Sequence, residues 1–341
     1  MEALWSRHLT NDHMRETFTF DPDARDYDAL AVYEDLPPLD GDRKILRREP
    51  LACPRSHTLL FVTEPSSIRL DGLHYLAQFG RVVTSRPFSE AERAFLMERG
   101  TTVDPEPCLV PFYGRDMDRD AHLSLADIAA EAPEKTEILS TVTSTKAMDH
   151  TVHARRQAFV QEMKARLGDT LTLFGRGIRD IRDKREGMVP FRYHIAIENH
   201  YQSGHYTEKL TDCFLARCLP FYFGDPDYAE RFPRDAVIPI DIFDADRSEH
   251  IIREAISTDQ YAARREALEE ARSLALLRAD PLLRTLQWAK GLPSVAASGE
   301  VILGRHAFRR AHPVLAARDA LYSARMRRSP LADPLQGYRS P

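Results

Sequence analysis

The sequence lacks any apolar run long enough to cross a membrane. Such a span needs about 20 predominantly apolar residues, and charged residues interrupt every apolar stretch of this chain. The N-terminal stretch MEALWSRHLTNDHMRE also lacks the basic start and the apolar segment of a secretory signal. These absences predict a cytoplasmic protein.

An excess of basic residues is missing as well. Lys and Arg number 47 against 52 Asp and Glu, which gives a formal net charge of -5 at pH 7. Nucleic-acid-binding domains usually show a clearly basic balance. We therefore expect no nucleic-acid partner, and any bound anion has to be held by a local group of cations.

Cysteine is scarce and shows no metal-binding spacing. The four thiols, Cys53, Cys108, Cys213 and Cys218, form no CxxC pair. Buried free thiols are favoured over metal ligands or a disulfide.

Three neighbouring histidines also fail to match a metal motif. His194 lies in a predicted strand, and His200 and His205 follow in a loop expected to be flexible. Their spacing matches neither HExxH nor a zinc-finger pattern, and Asp225 to Asp227 is better explained as a turn after Gly224. No metal site is predicted.

The alternation of apolar runs with amphipathic segments predicts an α/β fold. At 341 residues the chain is long enough for two domains, each built around a parallel sheet. A proline-containing, charged break at residues 131–137 marks the boundary. The predicted parts are an N-terminal domain (1–134), a C-terminal domain (135–290) and a basic, partly helical tail (291–341).

Individual elements follow from the same patterns. In the first domain, the predicted strands are Ala29–Tyr33, Thr58–Thr63, Arg81–Thr84 and Leu109–Phe112, and the N-caps of the predicted helices are Ser89 and Ser124. In the second, the predicted strands are Ile138–Val142, Leu171–Phe174, FRYHIAI (191–197), LPFYFG (219–224) and AVIPIDI (236–242), and helices cover about 153–167, the segment after Tyr206, and 247–289. The run IRDIRDKREG (178–187) is interpreted as a solvated loop.

One strand–loop–helix corner concentrates polar side chains. The strand 191–197 runs into Glu198 and Asn199, and the next helix opens with residues 206–209. Ligands bind beyond the carboxyl ends of parallel strands, where free N–H groups at helix starts attract anions. A lysine at 209 interacts unfavourably with the helix dipole, at a cost of about 0.3–1 kcal/mol. A diphosphate bound between the lysine and the helix start would make the arrangement favourable. The alternative is that Lys209 extends into water.

The ordered motifs IEN…HYTEKL…LARCLPFYFG…YAERFP…VIPID resemble the donor-binding signature of the glycosyltransferase family 10 fucosyltransferases, in particular a prokaryotic-type member. The likeness is strong over residues 191–241. It extends loosely over residues 26–290 through RRQAFVQEM, LTLFGRG and VTEPSSI. Ile197 precedes the corner as IEN instead of the usual FEN, and His200 stands where a small residue is common.

The resemblance implies two Rossmann-like domains that face each other across a cleft, the GT-B architecture. It also implies inverting transfer of L-fucose from GDP-fucose to a glycan hydroxyl, of the α-1,3/1,4 type. The expected donor-site residues are Arg156, Glu198, Asn199, Tyr206, Thr207, Glu208 and Lys209. Arg156 and Lys209 would face the pyrophosphate, and Tyr206 would hydrogen-bond a phosphate oxygen. Glu208 would meet ribose or fucose hydroxyls.

Two chemical requirements complete this interpretation. The guanidinium of Arg156, the ammonium of Lys209 and helix N–H groups can stabilise the leaving diphosphate, so neither a metal nor another cofactor is expected. A base must deprotonate the acceptor. The family likeness favours Glu64, which follows a predicted strand, over its alternative as an exposed loop residue.

Three questions stay open at the sequence level. The pocket could take another nucleotide-sugar, or the chain could be a non-catalytic binding relative. The tail carries eight arginines from Arg305 to Arg339, with Asp319 and Asp333 as the acids of that stretch. Its helix near residues 314–326 either docks on the body of the protein or presents a basic surface to anionic lipid at the inner face of the membrane.

Overall fold

The computed structural model describes residues 17–38, 46–66, 68–105, 113–116, 121–143, 152–278, 281–297, 299–328, 333–335 and 338. The chain forms two compact units. The N-terminal unit contains the described residues of His13–Cys108 and Pro281–Asp333, and the C-terminal unit those of Leu109–Asp280 and Pro334–Pro341.

The strands and helices of the described residues are numbered here in chain order. The strands are β1 Leu30–Tyr33, β2 Arg48–Pro50, β3 Thr58–Val62, β4 Arg81–Thr84, β5 Thr102–Asp104, β6 Arg115–Asp116, β7 Ala121–His122, β8 Glu137–Val142, β9 Leu171–Phe174, β10 Phe191–Ile197, β11 Leu219–Phe223, β12 Ile238–Pro239 and β13 Val301–Leu303. The α-helices are α1 Leu73–Leu76, α2 Glu90–Met97, α3 Leu125–Ala130, α4 His153–Leu167, α5 Glu208–Leu215, α6 Ala245–Ser257, α7 Gln260–Ala263, α8 Arg265–Arg278, α9 Pro281–Lys290, α10 Arg305–Ala311 and α11 Pro313–Met326.

The N-terminal unit is built on a four-stranded parallel sheet with the order β1-β3-β4-β5. All five residues of β3 are buried, as expected of a strand covered on both faces. The predicted cap of α2 is present, because Ser89 and Glu92 form a reciprocal capping box. Glu64 follows the carboxyl end of β3.

The C-terminal unit contains a five-stranded parallel sheet with the order β12-β11-β10-β8-β9. Strand β10 is central, pairs in parallel with β8 and β11, and buries every residue except Arg192. This burial explains why the sequence FRYHIAI is almost continuously apolar. The predicted α/β class with two parallel-sheet units is confirmed.

The boundary between the units differs from the predicted position at 134/135. The contacts divide the chain at 108/109, and helix α3 belongs to the C-terminal unit. Ile128 is fully buried in the core of that unit, and Arg272 donates to the Ala129 carbonyl at 3.2 Å. The proline-containing break therefore lies inside a unit, between α3 and β8.

The basic tail is not a separate domain. Strand β13 pairs antiparallel with β2, and α11 docks on the start of α1. The Asp319 carboxylate accepts hydrogen bonds from the backbone N–H groups of His74 (3.1 Å) and Tyr75 (3.0 Å). The predicted docking of the tail helix is therefore confirmed for the face that carries Asp319, and the C-terminal unit's main segment ends at residue 280 instead of 290.

Some predictions fall outside the described residues, namely the strand Leu109–Phe112 and the thiol Cys108. Cys53, Cys213 and Cys218 are buried free thiols, as predicted. Within the described part of the chain, no helix has both the length and the apolar character needed to cross a bilayer.

Candidate functional site

A small cavity lies at the carboxyl ends of β8 and β10 in the C-terminal unit. Strand residues form its walls, and three basic side chains line it: Arg156 from α4, Lys184 from the turn before β10, and Lys209 from α5. The sequence predicted Arg156 and Lys209 at one site, and the structure brings them to the same cavity. This is the place where open parallel sheets bind ligands.

Glu198 joins the end of β10 to the start of α5. Its side chain is fully buried, and it accepts hydrogen bonds from the Thr207 backbone N–H (2.7 Å) and hydroxyl (2.6 Å). Burial raises the pKa of Glu198, although Lys209 and the Thr207 hydrogen bonds oppose that shift. Thr207 is also the N-cap of α5, since its hydroxyl accepts from the Lys209 N–H at 3.3 Å.

The lysine in the first turn of α5 is paired within the protein. Lys209 Nζ lies 3.1 Å from Thr207 Oγ1, 3.3 Å from Glu208 Oε1 and 3.5 Å from Glu198 Oε2. Two carboxylates therefore offset its unfavourable interaction with the helix dipole. The alternative of a side chain extended into water is therefore wrong, and the contact of Lys209 with a diphosphate stays a prediction.

Arg156 is held nearby by Asn199. The arginine residue is 8% exposed, and Nη1 donates to Asn199 Oδ1 at 2.8 Å. Burial lowers the pKa of Arg156, while Glu198 and Glu208 act in the opposite direction. The buried Nε has no hydrogen-bond partner among the described residues. An unsatisfied guanidinium N–H beside a cavity is suited to an anionic ligand.

Tyr206 directly precedes the N-cap of α5. Its side chain is 1% exposed in the core of the unit, and its ring packs edge-on against Phe232 at 5.2 Å. The cavity lining does not include it. The aromatic ring is therefore packed in the core, and the predicted hydrogen bond from the hydroxyl to a phosphate stays a prediction.

The loop before α5 is also more enclosed than predicted. His200 and His205 are each 2% exposed, and their rings meet edge-on at 5.7 Å. Burial, with a contribution from Lys209, lowers the pKa of His205 to about 4, so this imidazole is neutral near pH 7. Both residues are therefore enclosed by the protein, and the flexibility expected of this loop stays a prediction.

Two structural features of the site were missed from sequence. Lys184 lies in the charged run that was interpreted as a solvated loop, yet its Nζ lies 2.8 Å from Asp212 Oδ2. Gly224 directly follows β11 and lies so close to the corner that a Cβ there would be 2.5 Å from Glu198 Cγ. The sequence signal for Lys184 was the position of its charged run shortly before the buried strand β10. The signal for Gly224 was its position directly after the buried strand β11.

Glu64 is exposed and follows the last residue of β3, Val62, by two positions, as its predicted place at a strand end requires. Its role as a base stays a prediction. Among the described residues, no group of three or more His, Cys, Asp or Glu side chains is arranged to hold a metal ion. The expectation of metal-independent chemistry also stays a prediction.

The cavity and a family match together indicate the class of protein. A cavity lined by basic side chains at the carboxyl ends of a parallel sheet is typical of enzymes that bind phosphorylated ligands. Residues 132–261 match the family model described as "Glycosyltransferase family 10 (fucosyltransferase) C-term". The protein is therefore a glycosyltransferase, and the match lies within its C-terminal unit, where the motifs of residues 191–241 also resemble family 10.

Solved structures of α1,3-fucosyltransferase are similar to this chain over most of its length. One with GDP-fucose has 13% identity and a TM-score of 0.44, with 82% of each chain covered. Another with GDP has 13% identity and a TM-score of 0.45, with 85% of this chain and 98% of that chain covered. No curated protein matches the sequence.

Proposed function

We propose that the protein transfers L-fucose from GDP-fucose to a hydroxyl of an acceptor glycan, with inversion at the anomeric carbon. The observation that carries this proposal is the family match over residues 132–261 together with the cavity that Arg156 and Lys209 share. The donor occupies the mouth of that cavity, and its diphosphate lies against the start of α5.

The two cations stabilise the leaving group. As the bond from the anomeric carbon to the diphosphate breaks, negative charge grows on the phosphate oxygens, and fixed cations near those oxygens lower the barrier. Arg156 offers an unpaired Nε–H in a buried setting, where the interaction with an anion is strong. Lys209 is 23% exposed and adds a point charge. A divalent metal is then unnecessary.

Glu208 contacts donor hydroxyls, and Glu64 accepts the proton of the attacking acceptor hydroxyl. A carboxylate that is ionised near neutral pH is suited to both tasks. The reaction proceeds in one displacement through an oxocarbenium-like state, without a covalent intermediate. Glu198 and Thr207 take a supporting part, because their hydrogen bonds fix the start of α5.

The donor assignment is tested with a panel of nucleotide-sugars. Thermal denaturation is followed with GDP-, UDP- and dTDP-sugars, and a ligand that binds the folded state raises the melting temperature. GDP-fucose is expected to give the largest shift. Stabilisation by UDP-sugars alone would show that a different donor is used.

Turnover separates an enzyme from a non-catalytic relative. Release of GDP from GDP-fucose is measured with mixed glycan acceptors, for the wild-type protein and for Glu208→Ala. Faster release from the wild type is expected, because Glu208 contacts the donor. Equal release from both proteins would favour an inert binder.

The tail supplies a surface for peripheral contact with anionic lipid at the cytoplasmic face of a membrane. Val314 and Leu321 are 66% and 73% exposed, and Arg318 and Arg325 are exposed beside them. Their spacing places all four on one face of α11, opposite the docked Asp319. A basic face with apolar residues suits anionic headgroups.

Vesicle co-sedimentation tests this contact. The protein is expected to bind vesicles of mixed phosphatidylglycerol and phosphatidylcholine but not pure phosphatidylcholine, and Leu321→Glu is expected to weaken the binding. Equal binding of wild type and Leu321→Glu would rule out this face.

A further inference from the structure

Lys184 bridges two carboxylates on one face of α5. Its Nζ lies 2.8 Å from Asp212 Oδ2 and 3.8 Å from Glu208 Oε1. Glu208 and Asp212 are four residues apart on the helix, and side chains at that spacing are neighbours. The lysine comes from a different segment, the 3₁₀ turn Lys184–Gly187. The bridge therefore ties the turn before β10 to the first turn of α5.

The ammonium group of this lysine stabilises the charged form of Asp212. The Asp212 side chain is 1% exposed, and its Oδ1 has no hydrogen-bond partner among the described residues. A buried carboxylate is costly unless a cation is close to it. The pair with Asp212 thereby fixes the position of Lys184, which lines the same cavity as Arg156 and Lys209.

We propose that Lys184 is a positioning residue of the donor site, which holds the Glu208 carboxylate ionised and directed at the hydroxyls of the bound nucleotide-sugar. This inference rests on the proposed function, because its ligand is GDP-fucose. Glu208 lies between two lysines, with Lys209 Nζ at 3.3 Å and Lys184 Nζ at 3.8 Å. Loss of Lys184 leaves Glu208 and Asp212 as like charges on one helix face, an unfavourable arrangement.

The electrostatic setting of Glu208 gives the inference a measurable signature. The charged and titratable side chains around it are Lys184, Lys209, Asp212, Glu198, Arg156 and His205. Burial opposes ionisation of Glu208, but Lys209 and Lys184 together lower its pKa to about 2. Without Lys184 the pKa of Glu208 rises. When the pH is lowered, Glu208 is then protonated at a higher pH than in the wild type, and affinity for the donor is lost there.

The experiment compares Lys184→Met with Lys184→Arg. The affinity for GDP-fucose is measured by titration calorimetry across acidic to neutral pH, and KM and kcat for the donor are measured in parallel. The Met variant is expected to raise KM about tenfold, equivalent to about 1.4 kcal/mol, with a smaller change in kcat. The pH at which this variant loses its affinity for GDP-fucose on acidification is expected to be higher than in the wild type. The Arg variant keeps the charge and retains most of the affinity.

A second variant controls for unfolding. Lys184→Met alone leaves Asp212 buried without its cation, whereas Lys184→Met/Asp212→Leu removes both charges, a change that buried ion pairs often tolerate. The double variant is expected to keep a near-wild-type melting temperature but not the donor affinity. Lys164→Met is the matched control, because Lys164 bonds the carbonyls of Gly168 and Leu171 and is absent from the cavity lining.

The outcomes separate the two proposals. Failure of the wild-type protein to bind GDP-fucose would contradict the proposed function itself. The role of Lys184 would be contradicted if the wild type binds GDP-fucose and the folded double variant binds it with the same affinity and the same pH profile. Weaker binding in the double variant, with Lys164→Met unchanged, would support it.

Discussion

Lys209 Nζ lies 3.5 Å from Oε2 of Glu198, so a cation in the first turn of α5 pairs with a fully buried carboxylate at the end of β10. This pair fixes the helix start relative to the sheet edge. It also means that Lys209 is shared: a diphosphate at the cavity mouth has to compete with Glu198 and Glu208 for the same ammonium group. Arg156 has an unpaired Nε–H and can bind the ligand without giving up a bond.

The first prediction concerns the base. Glu64→Gln keeps the size of the side chain but removes its basicity, and loss of general-base catalysis costs about 10²–10⁴ in rate. We expect kcat to fall by at least about a hundredfold, with little change in KM for GDP-fucose. Steady-state kinetics measure both. Glu90→Gln, at an exposed position on α2, is the control, and unchanged kcat in Glu64→Gln would exclude Glu64 as the base.

Gly224 is predicted to accept no side chain. A Cβ at this position would lie 2.3 Å from Tyr222 Oη and 2.5 Å from Glu198 Cγ, so Gly224→Ala should cost about 1–3 kcal/mol through overpacking. Denaturant unfolding and GDP-fucose titration check the loss of stability and of binding. Gly291→Ala is a matched control, because the nearest atom to its Cβ is Trp288 O at 3.5 Å. Equal behaviour of the two variants would contradict the predicted steric clash.

The docked tail is predicted to stabilise the N-terminal unit. Asp319→Ala removes a carboxylate that accepts from the His74 and Tyr75 N–H groups, and hydrogen bonds to a charged group contribute about 1.5–3 kcal/mol each. We expect a lower melting temperature in calorimetry. Arg318→Ala, one residue away and exposed, should change it little. A wild-type melting temperature for Asp319→Ala would show that the tail docks without stabilising the unit.

Stability is predicted to fall between neutral and acidic pH because of His194. Burial, with smaller effects of Lys184 and Lys135, lowers its pKa from 6.5 to about 3. Between these values the unfolded chain binds a proton that the folded chain does not, so the free energy of unfolding decreases as the pH falls. His194→Gln should flatten this dependence in urea titrations. His250→Gln, at an 80% exposed side chain, should leave it as steep as in the wild type.

Much of the corner was predictable from sequence because its signals are local. The apolar run of β10, the polar residues that follow it and the N-cap Thr207 each act over a few residues, so strand, loop and helix could be placed. The approach of Arg156 to this corner was expected from the family resemblance. Its bond to Asn199 bridges 43 positions of sequence.

The errors have a common physical cause, which is packing between distant segments. The partners of Lys209 depend on how far α5 lies from the end of β10. The burial of Tyr206 depends on Phe232, which is 26 positions away. Lys184 looked solvated because its partner Asp212 comes from another element. The proline-containing break at residues 131–137 gave no information about which sheet α3 packs against.

The central claim is that Arg156 and Lys209 together bind the diphosphate of a GDP-sugar. Titration calorimetry with GDP measures this directly in the wild type, Arg156→Met, Lys209→Met and the control Lys164→Met. We predict that each of the first two variants weakens binding by about tenfold or more, while the control binds as the wild type does. Wild-type affinity for GDP in both site variants would contradict the account.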